Sequence, residues 1–334
     1  MSDQRNLIIA IGLSLAILLG FQFFFEAPRQ EHMQKLADEQ AAEQARQTGQ
    51  GPDGSLIPTA PAQSGTPGAP GTAQTGSIPG APAIQAAPGA SRDAALRQSP
   101  RVPVNGPRLG GSIALKGGRI DDLTMLDYKA TIDEGSPAVT LFSPQGAPQP
   151  YFGQFGWVPI GELKVPDSDT VWQADHPSVQ PARPLTLSWD NGQGVRFIQV
   201  VEIDDNFMMT VTQRVENNST QAISTHPYGR IARTHTPNTL GFYILHEGPL
   251  AVFNETLKEV DYDDLQEGPA DATKSTGGWI GITDKYWLAA LIPDQKQPYT
   301  GTFRYSKPNK QDTYQADFMT QAPQLIAPGA TAQT

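Results

Sequence analysis

Residues 7–25 read LIIAIGLSLAILLGFQFFF, nineteen consecutive positions without a charge. As an α-helix this run is long enough to cross the hydrocarbon core of a bilayer. Thirteen of the nineteen are Leu, Ile or Phe, and at about −0.3 to −0.6 kcal/mol each near a helix centre they outweigh the small penalties of Ser14, Gln22 and the two glycines. A cleaved signal peptide needs small residues at its processing site. Here the run ends Phe23-Phe24-Phe25-Glu26-Ala27-Pro28, so an uncleaved anchor is expected. Arg5 precedes the span and Arg29 and Lys35 follow it, which leaves the positive-inside count nearly tied. The remainder of the chain reads as an exported, tethered domain. The expected orientation therefore puts residues 1–6 in the cytoplasm and everything after Phe25 outside it.

Residues 26–47 are rich in Glu, Gln, Ala, Lys and Arg, all good helix formers. They read as a solvated juxtamembrane helix, because Met33, Leu36, Ala37 and Ala41 make too short a stripe for a coiled coil. Residues 48–107 are dominated by Gly, Pro, Ala, Ser, Thr and Gln, with no aromatics and only Asp53 charged before Arg92. Such a stretch cannot bury enough surface to offset its ordering entropy. It is expected to be a disordered linker, with the folded domain occupying 108–334.

That domain is expected to be all-β. Segments 112–116 and 119–125 flank Gly117-Gly118, a pair suited to a two-residue hairpin turn. Segment 185–189 runs into Asp190-Asn191-Gly192, and 195–203 and 207–215 flank Asp204-Asp205-Asn206. Phe207, Met209, Val211 and Val215 alternate with Met208, Thr210, Thr212 and Arg214, the period-two pattern of a half-buried antiparallel strand. Further strands are expected at 241–245, 250–253, 256–262, 278–283, 286–292, 299–306 and 313–318. Many short, turn-punctuated strands point to a large sandwich of packed sheets.

Chemistry is sparse. The net charge of −10 argues against a nucleic-acid partner, and the absence of Cys removes thiol catalysis and thiolate metal sites. No phosphate loop, nucleophile elbow or zinc-protease helix is present in the sequence. His226, His235 and His246 share one short window, but their spacing matches no common ligand pattern. Asp261-Tyr262-Asp263-Asp264 with Glu267 and Gly268 reads as a solvated acidic loop, since the glycine is misplaced for a calcium loop. Asn217-Asn218-Ser219-Thr220 contains glycosylation sequons. Trp279, Tyr286, Trp287 and Tyr299 read as core aromatics more readily than as a sugar platform. No catalytic, cofactor-binding or metal-binding residue is therefore assigned.

Several segments together resemble the YidC-type membrane protein insertases of Gram-negative bacteria. Gln4-Arg5-Asn6 before the apolar span, with Gln22 near its far end, is similar to that family's first transmembrane helix. Gly117-Gly118-Arg119-Ile120 with Leu123, Tyr128 and Lys129 resembles the opening strands of its periplasmic domain. Val215-Glu216-Asn217-Asn218-Ser219 and His246-Glu247-Gly248-Pro249 resemble later strand ends. The most specific stretch is Gly278-Trp279-Ile280-Gly281-Ile282-Thr283-Asp284-Lys285-Tyr286-Trp287, continuing through Ala289, Ala290 and Ile292-Pro293.

The resemblance implies a mutarotase-like supersandwich on one N-terminal transmembrane helix, in the bacterial inner membrane. It implies a role in inserting membrane proteins, alone or with the Sec translocon and its accessory subunits, without enzymatic activity, cofactor or small-molecule substrate. The implied partners are membrane lipids and nascent membrane proteins. In the family the substrate groove is formed by later helices, which would lie beyond Thr334. Ala327-Pro328-Gly329 resembles a point inside the family's periplasmic domain, so the chain is expected to be an N-terminal portion with a C-terminally incomplete sheet. Residues 108–334 alone are expected to aggregate or melt without cooperativity, because missing strands leave an unpaired edge. Two other readings stay open at this point. One is an anchored carbohydrate-binding or mutarotase-like protein, with His226 or His235 meeting a carboxylate such as Glu247. The other is an anchored envelope spacer.

Overall fold

The computed structural model describes residues 78–81, 91–239, 245–268 and 270–334. The expected transmembrane span, the juxtamembrane helix, most of the linker and most of the strand expected at 241–245 lie outside these residues. Among the described residues no helix is long and apolar enough to cross a membrane.

The domain starts earlier than its composition suggests. Ser91 caps α1 (Arg92–Leu96) by accepting the Ala94 N–H at 3.2 Å, a standard use of a short hydroxyl side chain at a helix start. β1 (Arg101–Asn105) comes next, and its Val102 and Val104 are buried. The stretch 91–107 is thus folded, in contrast to the linker expected there. Its Gly/Pro-rich surroundings hid a short alternating strand. Ile78 is buried too.

The remaining strands are β2 (Leu109–Ala114), β3 (Arg119–Lys129), β4 (Ala138–Phe142), β5 (Tyr151–Ile160), β6 (Gln173–Ala174), β7 (Leu185–Asp190), β8 (Val195–Ile203), β9 (Met209–Asn217), β10 (Ile223–Thr234), β11 (Gly248–Phe253), β12 (Thr256–Glu259), β13 (Asp271–Thr276), β14 (Trp279–Thr283), β15 (Leu288–Leu291), β16 (Pro298–Ser306), β17 (Thr313–Thr320), β18 (Gln324–Ile326) and β19 (Thr331–Gln333). The all-β reading holds. The Gly117-Gly118 hairpin joins β2 to β3 with both glycines at positive φ, where a Cβ would be strained. The hairpins β7–β8 and β8–β9 also form where the turn residues place them. The strand expected over 256–262 ends at Glu259. The acidic run after it is not a loop but a short helix, α2 (Tyr262–Glu267), which buries Tyr262 and Leu265.

The strands form three sheets. A ten-stranded sheet runs β1-β2-β3-β5-β10-β17-β16-β13, with β4 on β3 and β18 on β10. A five-stranded sheet runs β19-β9-β8-β7-β6, and a four-stranded sheet runs β12-β11-β14-β15. Register puts Phe155, Gly229, Phe318 and Gly301 in one transverse row of the large sheet, and Trp157, Tyr299 and Phe303, each two residues along their strands from that row, share its face. On that face Trp157 meets Phe197 of the five-stranded sheet edge-on at 5.1 Å. Phe303 and Tyr299 meet Phe253 of the four-stranded sheet at 6.3 and 6.4 Å. Both small sheets therefore cover the same side of the large one, and the apolar core lies between the layers.

Candidate functional site

The opposite face of the large sheet carries a different chemistry. Arg119 of β3 is in register with Gln154 of β5, Gln154 with Arg230 of β10, Arg230 with Asp317 of β17, and Asp317 with Thr302 of β16. Five neighbouring strands thus contribute one polar residue each to a single transverse row. Gln154, Arg230, Asp317 and Thr302 are all at most 3% exposed.

Burial demands partners for such groups. Gln154 Oε1 accepts from Arg230 Nε at 3.1 Å and Nη2 at 2.5 Å, while its amide donates to the Gly117 carbonyl at 2.9 Å. Asp317 Oδ2 accepts from Arg304 Nε at 2.8 Å and Gln315 Nε2 at 2.7 Å. Arg304 and Gln315 form the adjacent row. Arg119 donates to Gln145 at 2.8 Å and lies over the Phe152 ring. Desolvation sets the titration of these groups: it pushes the Asp317 carboxyl up despite Arg304, and pulls the Arg230 and Arg119 guanidinium groups down. Asp121 is also pushed up by burial, against its contact with Arg101. The row alternates donor and acceptor across the sheet. It can orient a polar group or lock strand register, but it aligns one carboxylate with arginines and not two carboxylates with each other, so it is not an acid–base pair.

The residues singled out in the sequence go elsewhere. His226 lies on β10, with Nδ1 2.9 Å from the Thr320 carbonyl. His235 lies just past the end of β10 at positive φ, and its backbone N–H donates to the Asp312 carbonyl at 2.7 Å. Nine residues of extended chain, about 30 Å, separate the two. His246 directs Nε2 to the Pro249 carbonyl at 3.0 Å and Nδ1 to Asp261 at 3.5 Å. Among the described residues no group of three His, Asp or Glu is placed to hold a metal.

Asn217 is fully buried and unavailable to a glycosyltransferase. Its amide donates to the carbonyls of Gln221 and Ile326 at 2.8 and 2.9 Å, and its Oδ1 accepts from Ser219 Oγ at 2.6 Å. The aromatic group divides. Tyr299 is core, whereas Tyr286 is 71% exposed.

The charged row was missed in the sequence because its members lie in separate strands. The signal was there, as single polar residues at alternating positions of apolar runs: Gln154 in YFGQFGW, Arg230 in YGRIA and Asp317 in YQADF.

The YidC periplasmic domain family matches residues 101–334. "Membrane protein insertase YidC" of Methylobacterium radiotolerans is 42% identical over 343 residues, covering 99% of this chain and 54% of that protein. The protein of the same description from Bradyrhizobium diazoefficiens is 38% identical over 335 residues, covering 99% and 53%. The chain spans about half the length of these curated relatives. Among solved structures, a galactose mutarotase related enzyme from Lactobacillus acidophilus aligns with a TM-score of 0.45 and 9% identity, over 70% of this chain and 95% of that one.

Proposed function

Because the chain belongs to the YidC family, we propose that it is the anchor and periplasmic portion of an insertase that places proteins into the bacterial inner membrane. The observation that carries this reading is identity of about 40% along nearly the entire chain with curated membrane protein insertases. Residues 7–25 hold the chain in the membrane with residues 1–6 cytoplasmic, and the β domain stands in the periplasm. The domain acts as a scaffold and docks accessory subunits of the Sec translocon, without catalysis of its own. Buried polar residues satisfied by one another, as in the row through Arg230, suit a rigid scaffold.

The test is depletion of the protein in its source cells, followed by protease accessibility of a newly made inner-membrane protein. Failure of that protein to insert, restored by the full-length gene, is the expected result. Unchanged insertion would remove the insertase reading. Docking is read separately, by photo-crosslinking from surface positions of the domain and immunodetection of Sec subunits.

A further inference from the structure

Exposed apolar side chains are scattered singly over most of the domain, at Ile132, Ile160, Val171, Leu257 and Leu325, and single ones need no explanation. One place differs. The end of β3, the β8–β9 turn and the β14–β15 turn come from three different sheets and meet at one tip. There Tyr128 contacts Trp287 edge-on at 4.8 Å and Phe207 at 6.1 Å. Tyr286 and Met208 flank them at 71% and 52% exposure.

The tip is held rigidly. Asp204 accepts the N–H groups of Asn206 and Met208 at 2.8 and 3.0 Å, fixing one turn. The Asp284 N–H donates to the Trp287 carbonyl at 2.8 Å, and the Asp284 carboxylate is held by Arg233 at 2.5 Å, fixing the other. Cations lie over the rings: Arg108 over Phe207 at 4.4 Å and Lys285 over Tyr286 at 4.9 Å. Preset turns thus present apolar rings to solvent at no further ordering cost.

We infer that this tip is a membrane-contact site, and that Tyr128, Phe207, Met208, Tyr286 and Trp287 enter the headgroup region of a lipid bilayer. Tyr and Trp combine an apolar body with a polar edge and favour that boundary. Arg and Lys keep their charges at headgroup level while their stems and the rings beside them go deeper. Five side chains on projecting turns are far short of the about 20–30 residues a side of a standard protein interface. A fluid bilayer needs no such shape match. The inference rests on the membrane-anchored reading above, and its test separates the two.

The full-length chain is reconstituted into vesicles of phosphatidylglycerol and brominated phosphatidylcholine, floated on a density gradient, and its tryptophan emission compared with that in unbrominated vesicles. The expected result is flotation together with quenching that Trp287→Phe abolishes. The pair Met208→Ser and Tyr286→Ser, which leaves the Tyr128–Trp287 contact intact, is expected to weaken the quenching. Flotation with equal quenching of the parent chain and Trp287→Phe overturns the tip assignment and leaves the anchor standing. A lipid-independent change in Trp287 emission, accompanied by crosslinked dimers and no bromine quenching, overturns it in favour of a second copy. Absence of both flotation and quenching overturns the anchored reading and the tip together.

Discussion

Arg230 directs two of its guanidinium nitrogens to one oxygen of Gln154, at 3.1 and 2.5 Å, from the adjacent strand. The same Gln154 donates to the Gly117 carbonyl in the β2–β3 hairpin. One side chain therefore ties a buried cation to a turn. Gln154→Ala removes all three hydrogen bonds. Bonds to charged groups contribute about 1.5–3 kcal/mol and neutral ones about 1, so a loss of about 4 kcal/mol or more is expected. A lower denaturant midpoint with unchanged slope would show it. An unchanged midpoint would mean that the row contributes nothing to stability.

Asp317 gives a pH signature with a defined sign. Burial raises its folded-state pKa above the ordinary value, so the native state holds this proton more tightly than the unfolded chain does. Stability then falls as pH rises from the ordinary carboxylate range to the raised folded value. Asparagine mimics the protonated form and removes that dependence. Asp317→Asn is therefore expected to match the parent near pH 4 and to gain on it as pH rises towards neutrality. The measurement is the difference in denaturant midpoint across that range, and a difference independent of pH would contradict the assignment.

Whether a strand could be read from the sequence depended on its having one wet face. β9 alternates between Thr210 or Arg214 and Val211 or Val215, and its face assignment was legible. β5 and β10 were not. Their burial patterns run BBBBiBBiie and iiBiBBBBBBiB, because side chains are buried on both faces: Phe152, Gln154, Tyr228 and Arg230 on one, Trp157 and Ile231 on the other. With both faces covered, no period-two contrast remains, and Gly153, Gly156, Pro159 and Pro227 disguise the strands further. The three-sheet tip was invisible for another reason. Tyr128, Phe207 and Trp287 are each ordinary within their own segments, and only the tertiary arrangement brings them together.

Gly278 marks the most constrained turn of the stretch that carried the family resemblance. Its φ is +85°, and a Cβ there would lie 2.0 Å from the Val252 carbonyl oxygen on the neighbouring strand. Gln295 grips the same residue on both sides, accepting the Gly278 N–H at 2.9 Å and donating to the Gly278 carbonyl at 3.0 Å. Gly278→Ala incurs about 1–2 kcal/mol of left-handed strain, and the backbone clash adds to it. Thermal unfolding is expected to begin at a visibly lower temperature, with loss of protease resistance around β11 and β14. Retention of the parent melting temperature would show that the turn can open without cost.

The folded boundary at residue 91 can be tested by truncation. β1 pairs with β2 at five register positions and also bridges to Val179, with Asn105 N–H donating to the Val179 carbonyl and Val179 N–H to that of Pro103, both at 3.0 Å. A chain beginning at 108 loses this strand and exposes the positions against which Val102 and Val104 pack. Two fully buried valines are worth roughly 4 kcal/mol at about 1.5–3 each. For a domain of this size that is roughly 10 °C in melting temperature, taking about 2–4 °C per kcal/mol. Residues 91–334 are therefore expected to melt cooperatively and well above residues 108–334 in circular dichroism. The shorter chain is also left with β2 as a bare edge, which favours association between copies. Equal melting temperatures would mean that β1 is an accessory strand and that the folded unit starts at Arg108.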